Sequence, residues 1–171
     1  MPNNPRSRSA QTQDELPVRG ASAIEVLLND HQVIKGMLEE LVSATNRQTR
    51  EATFDRLKAA LTVHNATEEN LVYPALAVAA GKKPAAQHLY HETAEADTLV
   101  FELDTMLKED DDADFGAKAE MLQDAILDHV DEEESSAFPD LEENTDEEQQ
   151  QQLYESVVQF RNEFHFAPSP A

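Results

Sequence analysis

The sequence predicts an all-α protein: an up-down-up-down four-helix bundle with an additional C-terminal helix. Three observations carry that expectation. Glycine occurs only four times in 171 residues, Trp and Cys are absent, and Ala, Leu, Glu, Asp and Gln are abundant. That composition favours helix over strand. Four segments carry apolar stripes in alternating steps of three and four residues, joined by short connections that imply antiparallel neighbours. One stretch is also used twice, as H-N-A-T-E-E-N-L-V-Y-P-A-L over residues 64–76 and H-V-D-E-E-E-S-S-A-F-P-D-L over residues 129–141. His64, Glu68, Glu69, Tyr73, Pro74 and Leu76 match His129, Glu133, Glu134, Phe138, Pro139 and Leu141.

The length suits one domain plus tails, enough to bury a core. Without cysteine, disulfides, zinc ribbons and thiolate clusters are excluded, so metal donors must be nitrogen and oxygen. The formal charge of −22 repels phosphate backbones and anionic lipid; neither nucleic acid nor membrane is an expected partner. No apolar run of about 18 residues occurs, and the N-terminus lacks the apolar segment of a secretory signal. The expected location is cytoplasmic.

Residues 1–20 are polar and aperiodic, and read as a disordered tail. The bundle is expected over residues 21–141. Ser22 can cap a first helix running to about Asn46, with stripe Leu27, His31, Ile34, Leu38, Leu41. A second helix begins near Thr49, with stripe Phe54, Leu57, Leu61, His64, Glu68, Leu71, Ala75; Pro74 should kink or end it. Gly81 to Pro84 makes a turn into a third helix ending near Lys108. Its inward arc reads His88, His91, Glu95, Leu99, Leu103, Met106. After an acidic loop over residues 109–114, a fourth helix carries Leu122, Ile126, His129, Glu133 and Ala137, and runs to about Pro139. Residues 142–171 read as an acidic linker, an accessory helix with Leu153, Val157, Phe160 and Phe164 inward, and a frayed tail.

Polar residues in the middle of apolar stripes need a reason, because a buried ionised carboxylate is costly unless paired or coordinated. At i and i+4, His64 with Glu68 and His129 with Glu133 lie about 6 Å apart on one helix face. His31 precedes His64 by nearly the interval at which His91 precedes His129. Two helical hairpins packed face to face would therefore bring four His and two Glu to one depth. That is too many donors for one tetrahedral zinc. Two metals bridged by Glu68 and Glu133, with His31, His64, His91 and His129 as terminal ligands, fit better. Iron suits the set, with manganese or zinc as alternatives. The Glu-x-x-His pattern of ferritin-like carboxylate proteins is absent. His88 lies one turn from His91, and only one of them can occupy the metal layer. Glu69 and Glu134 are expected to face solvent or the backs of ligands, and Tyr73 and Phe138 to pack above the site.

At these residues the chain resembles the hemerythrin HHE cation-binding family over about residues 21–141. The likeness is carried by A-I-E-V-L-L-N-D-H around His31, the two repeated stretches, and H-E-T-A-E-A-D-T-L-V-F-E-L from His91. It implies a four-helix bundle holding a non-haem di-iron centre, bridged by carboxylates and an oxo or hydroxo group. Oxygen carriers of that family have a third-helix His-x-x-x-His pair; here the second position is Glu95, either a sixth oxygen-donor ligand, occupying a position O₂ would need, or a residue that contacts the ligands without binding metal. Sensing of, or reaction with, O₂, peroxide or nitric oxide is therefore expected ahead of reversible O₂ carriage, and enzymatic turnover is left open. The alternatives are an iron-binding or regulatory module without turnover, acting with a regulatory protein partner, and a metal-free interaction bundle.

Overall fold

The computed structural model describes residues 19–109 and 113–166, apart from the side chains of 164–166. The expected N-terminal tail up to residue 18, Asp110–Asp112 of the acidic loop and the tail from residue 167 lie outside the described residues. Among the described residues all regular structure is helical. Helix α1 is Ala23–Ser43, helix α3 is Lys83–Glu109 and helix α5 is Glu147–Phe166. Helix α2 is a continuous rod of three pieces, Arg47–Thr67, Glu68–Val72 and Tyr73–Val78; α4 repeats the plan as Phe115–Glu132, Glu133–Ala137 and Phe138–Glu143.

Local chemistry sets the helix starts. Ser22 caps α1 by accepting the Glu25 N–H at 3.1 Å, and Asn46 caps α2 by accepting the Thr49 N–H at 2.9 Å. Each such cap contributes about 1 kcal/mol. Asp146 and Gln149 cap α5 reciprocally, side chain to backbone in both directions. Gly81, at φ 70°, supplies the left-handed residue that lets the chain turn from α2 into α3.

The prolines do not end their helices. Pro74 has no N–H, and its ring would clash with the carbonyl four residues back. The chain absorbs this with a π-helical turn just upstream, in which the Tyr73 N–H bonds the Glu68 carbonyl. Phe138 does the same with Glu133, ahead of Pro139. The extra residue in each turn rotates the downstream segment about the helix axis. Instead of the expected Leu71 and Ala75, α2 buries Val72, Tyr73 and Leu76.

Ion pairs and hydrogen bonds fix the antiparallel order. Thr53 and Arg56 of α2 meet Glu40 of α1; Lys58 and Asn65 meet Asp104 and Asp97 of α3; Lys118 of α4 meets Glu102 of α3. Helix α5 lies against α1 and α2, burying Val157 beside Ala23 and Val26. The interior is layered. One apolar cluster includes Leu38, Leu41, Phe54, Leu57, Leu103 and Phe115; another, toward the opposite end, includes Leu27, Val72, Leu76, Leu89, Phe138 and Leu141. Between them lies a polar layer. Among the described residues no helix is long and apolar enough to cross a membrane.

Candidate metal centre

Each helix of the bundle places a group in the polar layer. Helix α1 supplies His31, α2 supplies His64, Glu68 and Tyr73, α3 supplies Thr93, and α4 supplies His129 and Glu133; all are buried. Donor atoms of His31, His64, Glu68 and Glu133 lie within 4.8 Å of one another. His31 Nε2 is 3.2 Å from Glu133 Oε2 and 3.9 Å from Glu68 Oε1. His64 Nε2 is 3.3 Å from Glu68 Oε2, and His129 Nε2 is 3.4 Å from Glu133 Oε1. Glu133 thus turns one oxygen toward His31 and the other toward His129, while Glu68 does the same toward His31 and His64.

The outer nitrogens explain why the inner ones converge. His31 Nδ1 is 2.9 Å from Glu134 Oε1, His64 Nδ1 is 3.3 Å from Asp30 Oδ2, and His129 Nδ1 is 2.9 Å from Glu92 Oε2. An ionised carboxylate only accepts, so each Nδ1 carries its proton outward and each Nε2 faces the centre. These backing acids have cations of their own. Lys35 reaches Glu134 at 3.2 Å, His88 reaches Glu92 at 3.1 Å, and Arg161 grips Asp30.

Three buried atoms that meet at the centre, His31 Nε2, Glu68 Oε1 and Glu133 Oε2, have no aligned hydrogen-bond partner. Leaving such a group unpaired costs about 1–3 kcal/mol, and more when it is charged. Two acidic side chains and a ring nitrogen converging in a dry layer are the donors a hard or borderline cation needs. The residues fit a metal. The electrostatics agree. Burial disfavours charge on His31, but Glu133 and Glu68 overcome it and raise its pKa to about 10. His129 is likewise lifted against burial, by Glu133 and Glu68. Burial also works against charge on Glu68, but His64 and His31 hold its pKa below the ordinary value. Burial and the neighbouring charge of Glu68 push Glu133 up. The two carboxylates draw positive charge onto the imidazoles, the role a bound cation would fill.

Tyr73 is the unexpected member. Its hydroxyl lies 2.9 Å from Glu133 Oε1, 3.2 Å from Glu68 Oε2 and 3.1 Å from His129 Nε2, with Thr93 Oγ1 at 3.4 Å. Burial and the two carboxylates push its pKa well up, so it is a neutral phenol with one proton to donate. The expectation that Tyr73 packs above the site is corrected, because the π-helical turn swings it in. Phe138, its counterpart in the repeat, stacks on the His31 ring with centroids 5.7 Å apart.

The third helix corrects a larger expectation. His91 and Glu95 do not join the cluster; their side chains are 71% and 66% exposed and pair with each other at 3.3 Å. His88 is exposed as well. Helix α3 instead buries Ala86, Leu89, Thr93, Ala96 and Leu103, an equally regular stripe. Turning it to bring His91 and Glu95 inward would desolvate two more ionisable groups and expose Leu89. Asp30, Glu92 and Arg161 were not singled out by the sequence pattern. A signal for two of them exists: Ala23, Val26 and Asp30 form one line on α1, and Tyr154, Val157 and Arg161 form another on α5, with opposite charges at corresponding ends.

The family profile described as hemerythrin HHE cation binding domain matches residues 22–141, which cover α1 almost to the end of α4. The chain is also similar to a protein named DNA nickase from Nostoc sp. (strain PCC 7120 / SAG 25.82 / UTEX 2576). The two are 27% identical over 128 residues, which is 75% of this chain and 36% of that protein. The chain therefore spans about a third of that relative's length. With a His and carboxylate cluster at the middle of the bundle and the profile covering most of its length, the chain belongs to the hemerythrin HHE cation-binding domain family.

Proposed function

We propose that this chain holds two iron ions in its polar layer and senses or reacts with small oxidants: O₂, peroxide or nitric oxide. The observation that carries this reading is the set of three buried, unpartnered donor atoms, backed by outward-bonded imidazoles. Glu68 and Glu133 would serve as bridges, each turning its two oxygens to different neighbours, with His31, His64 and His129 as terminal ligands. Bound there, iron supplies one-electron redox chemistry and exchangeable positions for a small ligand. The residues supply the rest. Both apolar clusters exclude water, and the backing acids lock the imidazole tautomers. Leu61, Thr93, Ala96, Val100 and Ile126 line a small cavity against His64 and His129, of a size for a diatomic molecule. Tyr73 presents a neutral phenol proton at the centre, which favours reaction over reversible carriage.

The test is anaerobic loading with ferrous iron, metal counting, then exposure to O₂ and to peroxide. Two irons per chain and new visible absorption on oxidation are expected; fewer than one iron per chain sinks the proposal. Iron uptake without spectral change or peroxide consumption would instead favour a storage or regulatory module. DNA as a substrate enters only through the Nostoc relative's name, and the −22 charge opposes it. Unchanged supercoiled plasmid after incubation with the loaded protein is the expected result.

A further inference from the structure

Arg161 is fully buried, yet it belongs to α5, beyond the segment matched by the family profile. Its Nη1 donates to Asp30 Oδ1 at 3.1 Å, its Nη2 donates to Asp30 Oδ2, and its Nε donates to Thr67 Oγ1 at 3.2 Å. The same Asp30 Oδ2 accepts from His64 Nδ1. We propose that Arg161 is a positioning residue for the metal centre, holding His64 through the Asp30 carboxylate, so that α5 is part of the site.

The other two backing acids show why an arginine is needed here. Glu134 and Glu92 are 31% and 23% exposed, and water can solvate them. Asp30 is buried within the layer that already holds Glu68 and Glu133. Without a cation of its own it would be a further uncompensated buried carboxylate, free to turn away from His64 Nδ1. The planar guanidinium fork fixes the carboxylate in orientation as well as in charge, which a lysine could not do as well. Thr67 completes the clamp: its hydroxyl donates to the Val63 carbonyl at 2.7 Å, leaving its oxygen to accept from Arg161. The result is a chain from α5 to Asp30 to His64 Nδ1, with Nε2 aimed at Glu68.

This inference rests on the metal-binding reading, and its test separates the two. Ferrous iron affinity is measured by anaerobic competition with a chromophoric chelator, alongside thermal unfolding, for the wild type, Arg161→Lys, the paired variant Arg161→Met with Asp30→Asn, and Val157→Ala. The paired variant removes both charges together, so no lone buried ion remains. It should bind iron roughly 10–100-fold more weakly, the usual effect of losing a group that backs a ligand. Arg161→Lys should fall between it and the wild type. Val157→Ala loosens α5 packing without touching the clamp, and should lower the unfolding temperature while leaving iron affinity unchanged. Wild-type affinity in both Arg161 variants overturns the proposal, as does an equal affinity loss in Val157→Ala. Should the paired variant not fold, Arg161→Lys against Val157→Ala decides alone. A wild type that takes up no iron overturns the metal reading itself.

Discussion

The two repeated stretches build the same backbone and then diverge. Both run helix, π-helical turn, proline and helix, and both deliver a His and a Glu to one layer. At the aromatic position, however, Tyr73 sends a hydroxyl into the centre, while Phe138 stacks against His31. Behind the imidazoles the halves differ again. His64 is backed by a buried Asp30–Arg161 pair, and His129 by a partly exposed Glu92. One backing carboxylate is buried and the other is partly open to solvent. A repeat that codes for equivalent His and Glu pairs therefore does not code for equivalent surroundings, because these come from α1, α3 and α5.

The largest expected effect tests the equivalence of the halves. Glu68→Ala and Glu133→Ala should each drop iron content below one per chain, since each removes a converging oxygen from the same cluster. One variant retaining two irons would break the symmetry at its root. Next comes the coupling of metal to fold. Ferrous iron at about 100 times its dissociation constant should stabilise the wild type by about 2.7 kcal/mol for each site filled, provided it binds only the folded chain. For a chain of this size that is a rise of about 5–10 °C in a thermal melt, and chelation should reverse it.

Glu92→Ala sharpens the contrast behind the ligands. Iron affinity should weaken by roughly 10-fold, the low end for a ligand-backing acid, because water can replace an exposed carboxylate on His129 Nδ1. An effect as large as that of the paired Asp30 and Arg161 variant would erase the distinction between the buried and the partly exposed backing acid. Tyr73→Phe makes the aromatic positions alike. Iron content should stay at wild type while the stopped-flow rate of peroxide reaction falls about 10-fold. A rate equal to wild type would leave the phenol as packing alone. Smallest of all, His91→Ala and Glu95→Ala should change stability and iron affinity by no more than about 0.5 kcal/mol, as expected for an exposed pair. A loss of iron in either would mean that α3 turns on loading.

That last pair shows where legibility in the sequence stops. In α2 and α4 the inward face is unambiguous, since Phe54, Leu57 and Leu61, or Leu122 and Ile126, leave no rival stripe, and His64, Glu68, His129 and Glu133 continue in line. In α3 two stripes of equal regularity compete, one through His91 and Glu95 and one through Leu89, Thr93 and Ala96. Local spacing cannot rank them. Desolvation in the assembled bundle does, and it favours the stripe with fewer ions.

By itself the sequence determined the helical class, the order of the bundle, the doubled His-x-x-x-Glu motif and the inward aim of His31, because these arise from short-range periodicity and from the chemistry of donors in an apolar face. Only the tertiary structure decided the rotation of α3, the entry of Tyr73 through a π-helical turn, and the burial of Arg161 against Asp30. Those depend on which surfaces share one dry layer, and the free energy of burying a charge is set by its neighbours in space rather than by its neighbours in the chain.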